Sequence, residues 1–333
     1  MSSRALPTVD VVTPCRNRLA NLRASLPSWL SHPLVRRILV VDFQSDLPVA
    51  EALGRNRDPR ITVLRVDDEP LWRQGRAQNV GLQASDADLI LKLDADIAIV
   101  DISAYVEAMA LNPQLFLRGC SQRGSSSGLC LVPRLVARRI GGYHDQMSGW
   151  GGDDVDFYRR LCRAGLNSGF VKAADFAEVP QRMATKNTEA PRLDTAWLPP
   201  HPDLARQPQF TAYRNGILAR VQHQHRLTAL RWRFDPAEGS GATLKKGRNR
   251  MRLLLGRHNT ELANILAVHS YVPGDSHWDV LRQPWVQKAI QQHRLVLPRQ
   301  RDMELALAAQ LTERSKSLRS FAANLGIELL PLE

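Results

Sequence analysis

Four cysteines in 333 residues are too few for a disulfide-held scaffold. Cys15, Cys120, Cys130 and Cys162 form no C-x-x-C pair and share no metal-like spacing with histidine, so they read as free thiols in a reducing compartment. No stretch approaches the roughly 20 consecutive apolar residues that a membrane helix needs. The opening MSSRALPTVDVVTP has no basic segment followed by an apolar one, so no secretory signal is expected and a cytoplasmic location follows. There is no internal repeat, which excludes solenoids and propellers. Gly239–Lys246 misses the spacing of a phosphate-binding loop, and the histidines from His223 to His293 show no ligand pattern.

What is present is an ordinary globular composition, 44% hydrophobic and 23% charged, with a net charge of +12 that is unevenly placed. Residues 1–179 hold 22 Lys+Arg against 20 Asp+Glu, and residues 180–333 hold 23 against 13. The asymmetry predicts a boundary near 180, with a domain over 1–180 and a basic, mainly helical region over 181–333 that meets something anionic. An anionic glycan, an acidic membrane surface and nucleic acid all fit the charge. The last lacks any recognisable binding motif.

The first half alternates strand-like and helix-like segments. Val9–Thr13, Arg37–Asp42, Ile61–Val66 and Asp88–Leu93 are apolar runs of strand length, and helical spacing follows the first through Leu19, Leu22, Leu26 and Leu30. Runs apolar on both faces, with helices between them, predict an α/β fold around a mostly parallel sheet. Ligands of such sheets bind beyond the carboxyl ends of the strands. After 180 the strand-like runs are lost, and proline-rich stretches separate helical ones.

Three places on that edge carry chemistry. Thr13–Arg18 (TPCRNR) puts Arg16 and Arg18 at the mouth of the first strand, where guanidinium groups suit phosphate but equally suit water. Arg76, at the start of a helix ending near Ala84, is a second anion candidate. Asp94 and Asp96 close the Asp88–Leu93 strand, and in extended chain residues i and i+2 face one side. Two such carboxylates repel unless a cation lies between them, and a divalent cation already on a diphosphate needs only one or two of them.

The second acidic stretch is Ser148–Asp156 (SGWGGDDVD). Its glycines predict a loop that lets backbone approach a ligand, and Trp150 offers a flat apolar face to a sugar ring. A helix follows from Asp153, with Val155, Tyr158 and Cys162 on one face and Phe157 and Leu161 beside it. Asp153 and Asp154 fall in its first turn, and an ionised carboxylate there can take the proton of an acceptor hydroxyl. Asp153 equally suits a capping role, and Asp156 reads as the i+4 partner of Arg160.

Over residues 7–185 these motifs together resemble glycosyltransferases of the GT-A fold, of the family 2 and family 7 type. That group includes β-1,4-galactosyltransferases and bacterial chondroitin-polymerase-like enzymes. T-P-C-R-N-R at 13–18 resembles their donor-binding loop, G-R-A-Q-N-V-G-L at 75–82 their N-R-A-x-x-x-N-x-G helix, and L-D-A-D at 93–96 their D-x-D. G-W-G-G-D-D-V-D-F-Y-R-R-L at 149–161 resembles their W-G-G-E-D-V-E-F segment. The resemblance implies an inverting transferase that moves a sugar from a UDP-sugar to a glycan or glycolipid hydroxyl with Mn2+ or Mg2+, as in polysaccharide biosynthesis. It implies that Pro14, Arg16, Arg18 and Arg76 hold the diphosphate and that Asp42 contacts the uridine or ribose. Asp96 would ligate the metal, with Asp94 toward the ribose and the metal. Trp150, Gly151, Gly152 and Asp153 would contact the acceptor or transferred sugar, and Asp154 would be the base. A peripheral place at the inner membrane would suit the basic half.

Two departures stand out. Where a metal-binding histidine follows an Arg-Met pair in the galactosyltransferases, Arg182-Met183 is followed by Lys186. The metal would then be held more weakly, be completed by Met183 or a distant residue such as His201, or sit in a differently organised site. The second strand ends Val41-Asp42-Phe43-Gln44-Ser45-Asp46 instead of the commoner V-D-D-G-S-x-D. Two other readings stay open: a retaining enzyme like the polypeptide N-acetylgalactosaminyltransferases, and a degenerate domain that only binds glycans.

Overall fold

The computed structural model describes residues 5–54, 56–69, 71–120, 128–179, 208–221, 230–235, 241–245 and single positions within 249–267. The described residues of Met1–Asp145, Asp153–Ala190 and Thr228–Asn249 form one compact unit, and those of Gln146–Gly152, Pro191–Leu227 and Arg250–Glu333 a second.

In the first unit the apolar runs become β1 (Val9–Cys15), β2 (Val35–Phe43), β3 (Ile61–Val66) and β4 (Leu89–Lys92). The helices between them are α1 (Leu19–Ser31), α2 (Val49–Leu53) and α3 (Gln74–Ala84). There follow β5 (Ile97–Ile99), α4 (Ser103–Leu111), β6 (Leu115–Arg118), β7 (Cys130–Pro133) and α5 (Arg134–Arg139). Then come α6 (Asp153–Arg163), β8 (Asn167–Phe170) and β9 (Phe176–Glu178).

The main sheet runs β10-β11-β3-β2-β1-β4-β7-β6-β8, where β10 is Trp232–Asp235 and β11 is Gly241–Leu244. β1, β2, β3 and β4 are mutually parallel, and β7 enters antiparallel between β4 and β6. β5 and β9 pair as a separate antiparallel ribbon. The expected α/β fold with a mostly parallel sheet is the observed one.

Both faces of the sheet are covered because neighbouring strand residues point to opposite layers. Val9 and Val11 of β1 pack with Leu22 and Trp29 of α1. Val12 packs on the other face with Leu82, Phe157 and Leu161. Trp29 is fully buried, and its indole N–H donates to the Ile97 carbonyl at 2.8 Å, so burying the ring strands no polar atom. Pro27 lies within α1, which continues to Ser31.

The strand-like character does not end at 180. β10 and β11 extend the sheet beyond β3, with Gly241 beside Arg65. Their signal is weak because each has four residues and only Trp232 and Ala242 are buried among those described. The expected helix at 305–325 and the basic run 245–252 lie wholly or partly outside the described residues. Among the described residues no helix is long and apolar enough to cross a membrane.

Candidate active site

The chain builds β1, β2 and β3 outward in one direction, then crosses back through α3 to place β4 on the other side of β1. A crevice opens at such a reversal, outside the carboxyl ends of the two strands. Those ends carry the TPCRNR loop and the Asp94–Asp96 turn. The backbone is unusual along this edge: Asn17, Gln44 and Asp68, just past β1, β2 and β3, have φ of 56°, 58° and 62°. Left-handed non-glycine residues gather where structure serves function.

The first loop is tied to the second strand. The Asn17 amide donates to Ser45 Oγ at 3.1 Å, and its side chain exchanges hydrogen bonds with Asp46 at 2.9 and 3.1 Å. Pro14 is buried inside β1, which runs past it to Cys15. Arg16 and Arg18 are half-buried on either side of Asn17, and Arg16 Nη1 donates to the Glu69 carbonyl at 3.3 Å.

Two expected donor contacts are engaged elsewhere. Asp42 is fully buried, and its carboxylate accepts the Ser45 and Val49 amides at 3.0 and 2.9 Å and Arg65 Nη1 at 2.8 Å. It organises the turn after β2, and the reading of it as a base contact is corrected accordingly. Arg76 also points inward. It is buried, pairs with Glu69, and donates through Nε to the Asp145 carbonyl at 3.3 Å. A helix start attracts anions, but here the anion is the protein's own. Glu69 also takes Arg73 at 3.4 Å, and burial together with the nearby Arg76 cation lowers Arg73 to about 10.

The acidic turn has a different construction from an extended strand end. β4 stops at Lys92, and the Ile97 amide closes a turn on the Asp94 carbonyl at 3.1 Å. Alternation along a strand therefore does not place Asp94 and Asp96. Asp94 is held by Gln74 Nε2 at 3.1 Å and lies 3.7 Å from Lys92 Nζ. Burial pushes it up to about 6, with the Lys92 ammonium pulling the other way. Gly128 lies against it so closely that a Cβ there would fall 2.1 Å from Asp94 Oδ2.

Lys92 joins the two acidic stretches. Its Nζ donates to both oxygens of Asp154, 3.0 and 3.2 Å away and 62 residues on. Burial opposes its charge, and Asp154 and Asp94 outweigh that, holding the ammonium above its ordinary value. Asp153 and Asp154 open α6, where the dipole favours anions. Burial, then the Asp154 charge, pushes Asp153 well above the usual carboxylate range. Asp156 pairs with Arg160 at 2.8 Å, four residues on.

α6 buries Phe157, Tyr158 and Leu161, and Phe157 stacks on Tyr143 at 4.0 Å. Of the face read as Val155, Tyr158 and Cys162 only Tyr158 is buried; Val155 and Cys162 are exposed, and the buried stripe runs through Phe157, Tyr158 and Leu161.

The chemistry of the turn suits a hard cation in one respect. The half-buried Asp96 carboxylate has no partner among the described residues, which leaves it open to a cation whose other ligands are phosphate and water. Asp94 is committed to Gln74 and Lys92. Among the described residues no three His, Cys, Asp or Glu side chains gather to hold a metal by themselves. Met183, Lys186 and His201 lie outside the described residues.

The loop before α6 belongs to the second unit and is held there by α7 (Pro208–Val221). Thr211 Oγ1 donates to the Trp150 carbonyl at 3.0 Å, and Arg214 Nη2 to the Ser148 carbonyl at 2.7 Å. Asn215 Nδ2 donates to the carbonyls of Ser148 and Gly151 at 3.1 and 2.7 Å. Positions 211, 214 and 215 share one helix face, so one polar stripe fixes the loop's shape. Gly149, Gly151 and Gly152 have φ of 77°, 84° and 91°, which a side chain would strain. Trp150 is 68% exposed.

Sequence reasoning missed Lys92, Gln74, Gly128 and the Thr211–Asn215 stripe. Lys92 alone had a visible signal, a lone charge in an otherwise apolar strand.

Residues 119–186 match the protein-family profile described as the N-terminal domain of galactosyltransferase. This segment contains Gly128, the Ser148–Gly152 loop and all of α6. The match falls on the segment whose acidic loop carries the sequence resemblance. No curated protein matches the chain. Among solved structures, the mannosyltransferase PcManGT from Pyrobaculum calidifontis, in complex with GDP-Man and Mn2+, is 15% identical, with 97% of this chain and 85% of that one covered and a TM-score of 0.48. The catalytic domain of Drosophila β1,4-galactosyltransferase 7, in complex with xylobiose, is 17% identical over 72% of this chain and 94% of that one, with a TM-score of 0.44. GalNAc-T7 with UDP, GalNAc and Mn2+ is 15% identical over 54% and 44%, with a TM-score of 0.43. These are likenesses only.

Proposed function

We propose that the protein is an inverting glycosyltransferase that moves a sugar from a nucleoside diphosphate, UDP by the sequence resemblance, to a glycan or glycolipid hydroxyl. The observation that carries this reading is the meeting of the two acidic stretches. Lys92 contacts both Asp94, in the turn beside the donor-side loop, and Asp154, at the start of the helix that follows the tryptophan loop.

In this reading Arg16 and Arg18 hold the diphosphate beyond β1, with Pro14 shaping their loop. Asp94 faces the ribose side, and Asp96 holds a divalent cation against the phosphates. When bound, Mn2+ or Mg2+ supplies positive charge for the diphosphate as it leaves. Trp150, Gly151, Gly152 and Asp153 receive the acceptor. Asp154 takes the acceptor hydroxyl proton as that oxygen bonds to the anomeric carbon. The bond from that carbon to the diphosphate breaks on the opposite side, and the diphosphate departs with its electron pair. One displacement inverts the anomeric centre.

The test is a panel of sugar nucleotides with Mn2+, scored for transfer and for the anomer formed. An α-linked donor should give a β-linked product. An α-linked product would replace this reading with a retaining one, and no transfer from any donor would favour a glycan-binding role. The basic half is proposed to meet an anionic acceptor or membrane surface from the cytoplasmic side. Co-sedimentation with anionic but not neutral vesicles supports the membrane, and its absence removes it.

A further inference from the structure

β4 is buried along its length, so a charge within it calls for an account. The Lys92 side chain is 2% exposed, and a leucine or methionine would fill the same space without removing an ammonium from water. Its headgroup is not spread over whichever carboxylates are nearest. It donates at 3.0 and 3.2 Å to the two oxygens of Asp154, whose side chain remains 22% exposed, and it lies farther, at 3.7 Å, from Asp94. Asp94 has a second holder in Gln74 at 3.1 Å. The carboxylate of Asp154 is thus gripped on its protein side and open on the other.

We propose that Lys92 is a positioning residue for sugar transfer, fixing the plane of the Asp154 carboxylate from inside the sheet and holding it in register with the Asp94 turn. The inference rests on the reading of Asp154 as the base. A carboxylate on the first turn of a helix has free side-chain rotations, and a base displaced by about 1 Å can cost on the order of 100-fold in rate. Two hydrogen bonds from a donor rooted in the central sheet remove that freedom.

The experiment compares wild-type full-length protein with Lys92→Met, Lys92→Arg and Asp154→Asn. It measures kcat, acceptor KM and calorimetric affinity for UDP in Mn2+. Lys92→Met is expected to lose roughly 100-fold in kcat, with UDP affinity and acceptor KM within about two-fold of wild type. Lys92→Arg, which restores a cation, should recover about ten-fold of that loss. The inference is overturned, with the base reading intact, if Asp154→Asn is inactive while Lys92→Met keeps kcat within about three-fold. It is also overturned if the Lys92→Met loss lies in UDP affinity and not in kcat. An active Asp154→Asn overturns both readings. Should Lys92→Met fail to fold, Lys92→Gln, whose shorter, uncharged side chain keeps amide N–H donors, is judged by the same criteria.

Discussion

Asp42 and Asp94 lie at the carboxyl ends of β2 and β4, the two strands that flank β1, yet their surroundings give them different work. Asp42 satisfies two buried amides and Arg65 and has no surface left for a ligand. Asp42→Ala should therefore destabilise the protein by about 3 kcal/mol, since it strands both amides and an arginine. Urea denaturation measures this. UDP affinity of the folded fraction should stay within about two-fold, and a selective loss of UDP binding at unchanged stability would restore Asp42 to the donor site. At this scale the sequence was informative about residue type and poor about orientation. Asp156–Arg160 was legible because a helix fixes i and i+4 together. Arg76 was misread because Glu69, its partner, lies on a loop whose path no local pattern specifies. Lys92 escaped notice because its partner lies 62 residues away.

At the scale of elements, the strands β1 to β4 were readable because continuous apolar runs of strand length admit few alternatives. α6 was readable as a helix, but its buried side was displaced. Phe157 and Leu161 meet the sheet, while Val155 is 50% exposed. The 11 residues from Asp153 to Arg163 span about three turns, too short to fix the phase of an apolar stripe. Phe157→Ala should cost about 3–5 kcal/mol, because the ring fills a closed site against Tyr143. Val155→Ser should stay within about 0.5 kcal/mol. Thermal or urea unfolding of the two variants checks the phase, and equal losses would contradict it. α7 was partly legible, but its role in shaping the Ser148–Gly152 loop was not, since hydrogen bonds to backbone carbonyls leave no mark on the accepting residues' identities.

For the molecule as a whole, chain order places the chemistry. Because β4 returns to the far side of β1, the loop with Arg16 and Arg18 and the turn with Asp94 and Asp96 end up beside one another. α6 then brings Asp154 onto Lys92. The parallel sheet was visible in the alternation of apolar runs and helices, and its ligand edge followed from that. Its extension by β10 and β11 was not, because two four-residue strands carry too few apolar positions to stand out in a basic, proline-containing stretch. The proposed role of Asp154 as the base is tested most directly by the transfer rate of Asp154→Asn, which keeps the shape of the side chain and removes its basicity. With UDP binding unchanged, kcat should fall by about 10²- to 10⁴-fold. A variant that transfers sugar within ten-fold of wild type would contradict the account.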